Sequence, residues 1–296
     1  MTARPYMSGF CIMTENIDPD DFIDALLPVV GQCARASLIF YGQVADIGKA
    51  ADKSLTGSKA QDASTAFTVL DAAVQDILLA AVLQHFPFVR CIAEERTPLK
   101  KRFAGNVSSY AVILDPIDGT LHFKRGDAPY HIVIGLACDG QMLAAIVARP
   151  SEDKVFTAIK GKGAFVRVGD GGPRRLQLPK EPRTNKVFIS SKARPYQALV
   201  RPALDPRESP IGAALVLTEI AEGALCAYLT RQVEVYDVGP PSLIAEEAGA
   251  RCYIGIRRRP TYNQRRKFGH FLAAANDEIA EQLFAILRRA RSGQRL

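Results

Sequence analysis

The sequence predicts a layered protein of the α+β or α/β class. Three observations lead there. Between residues 110 and 168 the chain runs in short Val-, Ile- and Ala-rich stretches parted by turn residues, the texture of a sheet. From residue 186 onward, strand-like and helix-like stretches alternate, which predicts an α/β layer beside the β-rich one. Ahead of both, two long stretches carry apolar residues at helical spacing.

The elements follow in order. "DPDDFIDALLPVVGQCARASLIFYGQV" (18–44) begins acidic and predicts an amphipathic helix, with Pro28 and Gly31 as points of kinking. "GKAADKSLTGSKAQDAS" (48–64) is small and polar and predicts a mobile loop. "STAFTVLDAAVQDILLAAVLQHF" (64–86) predicts a second helix, stopped by Pro87. "FVRCIAEE" (88–95) predicts a short strand running into acid. "YAVILD", "YHIVIGLAC", "MLAAIVARP", "KVFTAI" and "GAFVRV" predict five strands, with hairpin turns at 139–140 and 161–163. The Gly/Pro-rich run 169–184 is the expected boundary between two sub-domains. Beyond it the pattern predicts a strand at 186–190, a helical segment from about 192, a helix at 212–223, a strand at 224–230 and a helix at 237–249. Strands "RCYIGI" and "HFLAAA" and a last helix from Asn276 complete it.

Composition narrows the class. A chain of 296 residues can bury a large core, as one domain or two fused halves. Its 48% hydrophobic and 23% charged content is that of a soluble globular protein. No apolar run approaches the roughly 20 residues that span a bilayer, and "MTARPYMSGFCIMTEN" lacks the apolar centre of a secretory leader. A cytoplasmic protein is therefore expected. Cys11, Cys33, Cys91, Cys138, Cys226 and Cys252 include no C-x-x-C pair and read as reduced, mostly buried thiols. Four scattered histidines offer no zinc site.

The net charge of +7 is unevenly placed. Residues 251–296 hold 11 Lys and Arg against 3 Asp and Glu, and the rest of the chain holds 27 against 28. "RRRP" (257–260), "RRK" (265–267) and "RRARSGQR" (288–295) could form a patch for nucleic acid or an anionic substrate. Only Tyr262 and Phe268 are aromatic among them, so a solvated face and a basic tail are expected instead.

The chemistry is expected at "AVILDPIDGTLHF" (111–123). A buried strand delivers Asp115, Pro116 fixes the backbone, and Asp118 follows closely enough to face the same pocket. Gly119 and Thr120 open a helical turn, whose free N–H groups attract phosphate. Carboxylates beside a phosphate cradle are a setting for Mg²⁺. Without a cation such carboxylates repel one another. Glu94-Glu95 after a strand and Asp237 at the start of a helix are further acidic features.

"DPIDGT" (115–120), "AEE" (93–95) and "YDVGPPSLIAEEAGA" (236–250) resemble the three signatures of the inositol monophosphatase family. Its wider superfamily includes fructose bisphosphatases and phosphoadenosine phosphatases. "FTVLDAAVQDILLAAVLQHFP" (67–87), "GKGAF" (161–165) and "FLAAANDEIAEQLFAIL" (271–287) extend the resemblance over nearly the whole chain. It implies a layered αβαβα fold of two fused sub-domains, 1–180 carrying most metal ligands and 181–296 carrying the last. It implies Mg²⁺-dependent hydrolysis of a small phosphate monoester, a polyol or sugar phosphate, with two or three ions. Glu94, Asp115 and the Ile117 carbonyl would hold the first ion, and Asp115, Asp118 and Asp237 the second. Glu94 and Thr120 would orient the attacking water, supported by Asp71 and Thr68. The N–H groups of Gly119 and Thr120 would receive the phosphate, with Asp118, Gly212, Ala213 and Asp237 around the substrate. The 48–64 loop matches a family loop that contributes to a further metal site, where Lys49 resembles the family lysine loosely. A homodimer is expected, and neither a membrane nor nucleic acid as partner.

The departures concern the alcohol side. Tyr236 stands for the family Trp, and "GPP" (239–241) for "AAG", with both prolines expected in the first helical turn. "FTVLD" keeps Thr68 and Asp71. Thr230 stands where inositol phosphatases often carry Glu, and "GAA" (212–214) matches their "GTA" only partly. Phosphatase chemistry is expected, with inositol in doubt. Lys124 and Arg125 resemble a basic pair of the phosphoadenosine phosphatases, which makes a bisphosphate nucleotide the alternative substrate. A catalytically weak member that binds RNA or protein is the alternative of another class. His122 and His131 are expected to pack or cap, Cys91 to be a buried small residue, and Glu247 to be structural. "GKG" lacks the rest of a P-loop.

Overall fold

The computed structural model describes residues 16–43, 69–207 and 212–291. Helix α1 (Pro19–Leu38) starts at an Asp18 cap, whose side chain accepts from the Asp20 N–H, with proline in its first turn. Pro28 and Gly31 lie inside this helix and do not end it. Helix α2 (Val69–His85) stops ahead of Pro87 as expected. The predicted loop at 48–64, with Lys49, and the start of the second predicted helix lie outside the described residues.

A seven-stranded sheet follows in chain order: β1 (Arg90–Ala93), β2 (Tyr110–Asp118), β3 (His131–Cys138), β4 (Gln141–Arg149), β5 (Lys154–Ile159), β6 (Gly163–Val168) and β7 (Arg174–Leu176). β1 and β2 are parallel and the rest is an antiparallel meander. Between β2 and β3 lies the short helix α3 (Thr120–Arg125). The second sheet has the order β11-β12-β10-β8-β9. Its strands are β8 (Lys186–Ile189), β9 (Asp205–Arg207), β10 (Ala227–Glu234), β11 (Arg251–Ile254) and β12 (Lys267–Ala274). Helices α4 (Gln197–Val200), α5 (Ala213–Glu222), α6 (Val235–Glu247) and α7 (Asp277–Arg291) complete the described elements.

Burial explains the layering. Val112 and Leu114 of β2 face Phe22, Leu26, Leu78 and Leu79 of α1 and α2. Ala111 and Ile113, the alternate residues, face a second core shared with α5, α6 and the inner side of the second sheet. A third core lies between that sheet's outer side and α7, around Leu272, Leu283 and Phe284. The order is thus helix, sheet, helix, sheet, helix, the αβαβα arrangement that the resemblance implies. The first sheet is covered on both faces, so its strands read as near-continuous apolar runs.

Some elements differ from the sequence pattern. β7 and β9 are three-residue edge strands in charged or Pro-rich stretches, without an apolar period to mark them. β10 continues through Arg231 and Gln232 to Glu234, because β12 supplies partners as far as Lys267. Helix α6 therefore starts at Val235, and Asp237 is its third residue rather than its first. Pro240 and Pro241 consequently fall in the second turn, not the first. They donate nothing to the Tyr236 and Asp237 carbonyls one turn back. Pro240 instead packs on Gly135 of β3, so closely that a Cβ there would lie 2.9 Å away. The "GKG" hairpin turn is held from below: Glu247 accepts from the N–H groups of Gly161 (2.8 Å) and Gly163 (2.9 Å), which is structural, as expected.

Candidate active site

Asp115 and Asp118 are three residues apart on a strand, a spacing that would send them to opposite faces. A bulge changes this. Asp115 pairs with Val133 and Asp118 with His131, so β2 carries one residue more than β3 across that interval. Pro116 lies in the bulge and has no N–H to give a ladder. Asp115 Oδ1 accepts from the Ile117 N–H at 3.1 Å, which fixes its carboxylate. Gly119 then turns the chain with φ +90°, a left-handed conformation that suits glycine. The Thr120 hydroxyl lies 3.0 Å from the Ile117 carbonyl and 3.3 Å from Asp71 Oδ1 on α2.

Asp118 is taken up by the second half of the chain. Its Oδ2 accepts from the Ala214 N–H at 2.7 Å, at the start of α5. The carboxylate fills the space over Gly212, where a Cβ would lie 2.4 Å from Oδ2. Asp237 enters from α6, with Oδ2 accepting from the Glu234 N–H at 3.1 Å. Glu94 follows β1, its N–H bonded to the Leu114 carbonyl at 3.1 Å, and its side chain is hydrogen-bonded to Asp115.

The pocket therefore concentrates acid. Burial pushes the Asp115 carboxyl well above its ordinary range, and the charges of Glu94, Asp118 and Asp237 add to this. Asp237 is raised by removal from water and then by Asp118 and Glu94. Burial moves Asp118 up to about 7, against the opposing N–H of Ala214. Among the described residues no three His, Cys, Asp or Glu side chains close around one point as a finished ion site. Asp115, Asp118 and Asp237 each give an oxygen to a main-chain N–H instead. The donor set nevertheless fits a hard divalent cation: carboxylate oxygens, a neighbouring main-chain carbonyl, and protons on buried acids that a cation would displace.

All predicted site residues among those described lie in the segments that meet here: Asp71, Glu94, Asp115, Ile117, Asp118, Gly119, Thr120, Gly212, Ala213 and Asp237. Thr68 lies outside the described residues. Three supporting residues were not anticipated. Buried Gln75 on α2 accepts from the Glu95 N–H (2.8 Å) and donates to its carbonyl (3.1 Å). Lys100 Nζ donates to the carbonyls of Ala93 and Glu95. Arg265 is exposed, as expected of the "RRK" segment, and also lies 3.3 Å from the Glu94 carbonyl. Gln75 carries a signal, an amide at a position where the period of Leu78, Leu79 and Val82 calls for an apolar residue. The two cations carry none, because their partners are main-chain carbonyls, which have no residue type. His122 pairs with Asp127 at 2.7 Å and His131 is fully buried against Arg149, the packing and capping roles expected of them. Cys91 is half-buried, and Cys33, Cys138, Cys226 and Cys252 are likewise free thiols.

The model of the inositol monophosphatase family matches residues 31–292. The chain belongs to that family. An inositol-1-monophosphatase of Mycobacterium bovis is 29% identical over 75% of this chain and 78% of its own. A Streptomyces griseus protein named glucose-1-phosphate thymidylyltransferase is 28% identical over 74% of this chain and 82% of its own. The crystal structure of the extragenic suppressor protein suhB from Bartonella henselae superimposes with a TM-score of 0.73 at 19% identity, over 91% of this chain and 99% of that one. This inositol monophosphatase family member is a phosphatase with a phosphorylated small molecule as substrate. Among its described residues no helix is long and apolar enough to cross a membrane.

Gly212 offers a test of how closely the pocket is built. Gly212→Ala places a methyl group on the Asp118 carboxylate and must move the carboxylate or the start of α5. A loss of roughly 10²-fold in kcat/KM is expected, since a displacement near 1 Å in a reacting constellation costs about that much. Steady-state kinetics beside a thermal melt would separate this from unfolding.

Proposed function

We propose that this phosphatase hydrolyses a small polyol or sugar phosphate with Mg²⁺, through Glu94, Asp115, Asp118 and Asp237. The observation that carries this reading is the meeting of four acids in one pocket, three of them raised toward the protonated form. Glu94, Asp115 and the Ile117 carbonyl would hold one ion, and Asp115, Asp118 and Asp237 another. Bound Mg²⁺ supplies an activated water and offsets negative charge on the phosphoryl oxygens. Glu94 and Thr120 orient that water, Thr120 being held by Asp71. The N–H groups of Gly119 and Thr120 receive the phosphoryl oxygens. A bond from water oxygen to phosphorus forms as the ester P–O bond breaks; of the water's two protons, one stays on the phosphate released and the other ends on the leaving alcohol oxygen, beside Asp118 and Asp237.

The alcohol side supports a leaving group other than inositol. Thr230 is buried and donates to Ser190 Oγ at 2.8 Å, and Tyr228 hydrogen-bonds to Thr230. Thr230, a neutral hydroxyl, stands where inositol phosphatases often carry a carboxylate. The deciding assay is phosphate release from inositol 1-phosphate, glucose 1-phosphate, fructose 1,6-bisphosphate, phosphoadenosine phosphate and histidinol phosphate, with Mg²⁺ and with EDTA. One strong, EDTA-sensitive substrate is expected. Equal turnover in EDTA would sink the metal reading.

The raised acids also predict proton release. Asp118, raised to about 7, keeps its proton below that pH, and Asp115 and Asp237 are raised as well, so Mg²⁺ must displace protons to bind. Apparent Mg²⁺ affinity should therefore rise with pH through about 7. Titration calorimetry in buffers of different ionisation enthalpy reads the released protons. In EDTA, stability should fall as pH rises from about 4 to about 7. The unfolded chain loses its Asp protons near 3.8, the folded pocket keeps them longer, and the slope is negative wherever the folded state binds more protons.

A further inference from the structure

We infer that Arg265 is a positioning residue that holds the Glu94 turn against the first turn of α6, and so sets the spacing of Glu94 and Asp237. β1 is the edge strand of the first sheet, so its outer main-chain groups have no strand partner. The connection from β11 to β12 leaves the second sheet and crosses this edge. The Tyr262 N–H donates to the Gly140 carbonyl at 2.9 Å, and the buried Tyr262 ring packs edge-on against Phe268. Arg90 Nη1 donates to the Asn263 carbonyl at 2.6 Å. Two residues on, Arg265 Nη1 reaches the carbonyls of Ala93 (3.4 Å) and Glu94 (3.3 Å). Its guanidinium lies 5.3 Å from the ring centroid of Tyr236, the residue before Asp237.

Each carbonyl of the turn 93–95 is thus held by a side chain. Lys100 and Arg265 take Ala93, Arg265 takes Glu94, and Gln75 and Lys100 take Glu95. Gln75 comes from α2, and Lys100 from the segment between β1 and β2. Among the described residues that hold the turn, Arg265 alone comes from the β11–β12 connection and touches the helix of Asp237. With Nη1 on two carbonyls and its guanidinium carbon over the Tyr236 ring, Arg265 braces the main chain of the turn.

The inference rests on the metal reading of the pocket, and its test is metal affinity. Mg²⁺ binding would be measured by titration calorimetry on the full chain as wild type, Arg265→Ala, Arg265→Lys and Arg258→Ala, an exposed arginine of the same connection. Arg265→Ala should bind Mg²⁺ roughly tenfold more weakly, the range for residues that orient a ligand. Arg265→Lys should recover part of this, and Arg258→Ala should match wild type. Tyr236→Leu, which keeps the arginine and removes its platform, should weaken Mg²⁺ in the same direction and covers the case of an unfolded Arg265→Ala. Unchanged Mg²⁺ affinity in a folded Arg265→Ala, whether or not KM rises, overturns the inference alone. A wild type that binds no divalent cation overturns the metal reading and this inference with it.

Discussion

Asp115→Asn is expected to lower kcat/KM by about 10³-fold or more, while leaving the folded protein at least as stable in EDTA as wild type. Asp115 is the one side chain proposed to reach both ions, so the amide forfeits a negative charge at the centre of the reaction. A 10³-fold loss corresponds to about 4 kcal/mol of transition-state stabilisation. The fold should tolerate the change for a local reason. The amide oxygen can still accept from the Ile117 N–H. The buried site also loses a carboxyl that burial and three neighbouring acids oppose in its charged form. Turnover assays beside thermal melts in EDTA would check both halves. Full turnover with Mg²⁺ demonstrably bound would remove Asp115 from the mechanism.

Arg149→Met is expected to cost about 3 kcal/mol of stability, the low end for breaking a buried ionic network by deleting one partner. In a chain of this size that is about 5 °C in melting temperature. Arg149, at the end of β4, is 2% exposed. It donates to His131 Nε2 (3.1 Å), Thr218 Oγ1 (2.6 Å), Glu152 (2.9 Å) and Glu222 (3.4 Å), and lies over the Phe156 ring. Burial and the Arg149 charge keep His131 neutral, so its Nε2 is free to accept. Lys154 also pairs with both glutamates and limits the damage. The ring closes on the active site, because His131 pairs with Asp118 across β2 and β3, and Thr218 lies one turn after Ala214. Scanning calorimetry of Arg149→Met and Arg149→Lys would test it. A loss under about 1 kcal/mol for the methionine variant would show that the ring is not a major support.

What depends on neighbouring residues is legible in the sequence. Helix caps, the apolar runs of the central strands, the hairpin turns and the acids of "DPIDGT", "AEE" and "YDV" are local in sequence. These acids carry the resemblance to the family, and it is the resemblance that implies a layered αβαβα fold. Only tertiary structure decided what depends on pairing between distant segments. The bulge that brings Asp115 and Asp118 to one side exists because β3 offers one residue fewer opposite them. Asp118 meets Ala214 because α5 ends its approach over Gly212. Asp237 lies inside α6, not at its start, because β12 extends β10. "RRK" reads as solvated charge, yet Arg265 crosses to the Glu94 carbonyl. A main-chain carbonyl has no residue type, so its partner leaves no mark in the sequence. Propensity and patterning act over a few residues, whereas register, burial and the raised acids arise only when the sheets close on one another.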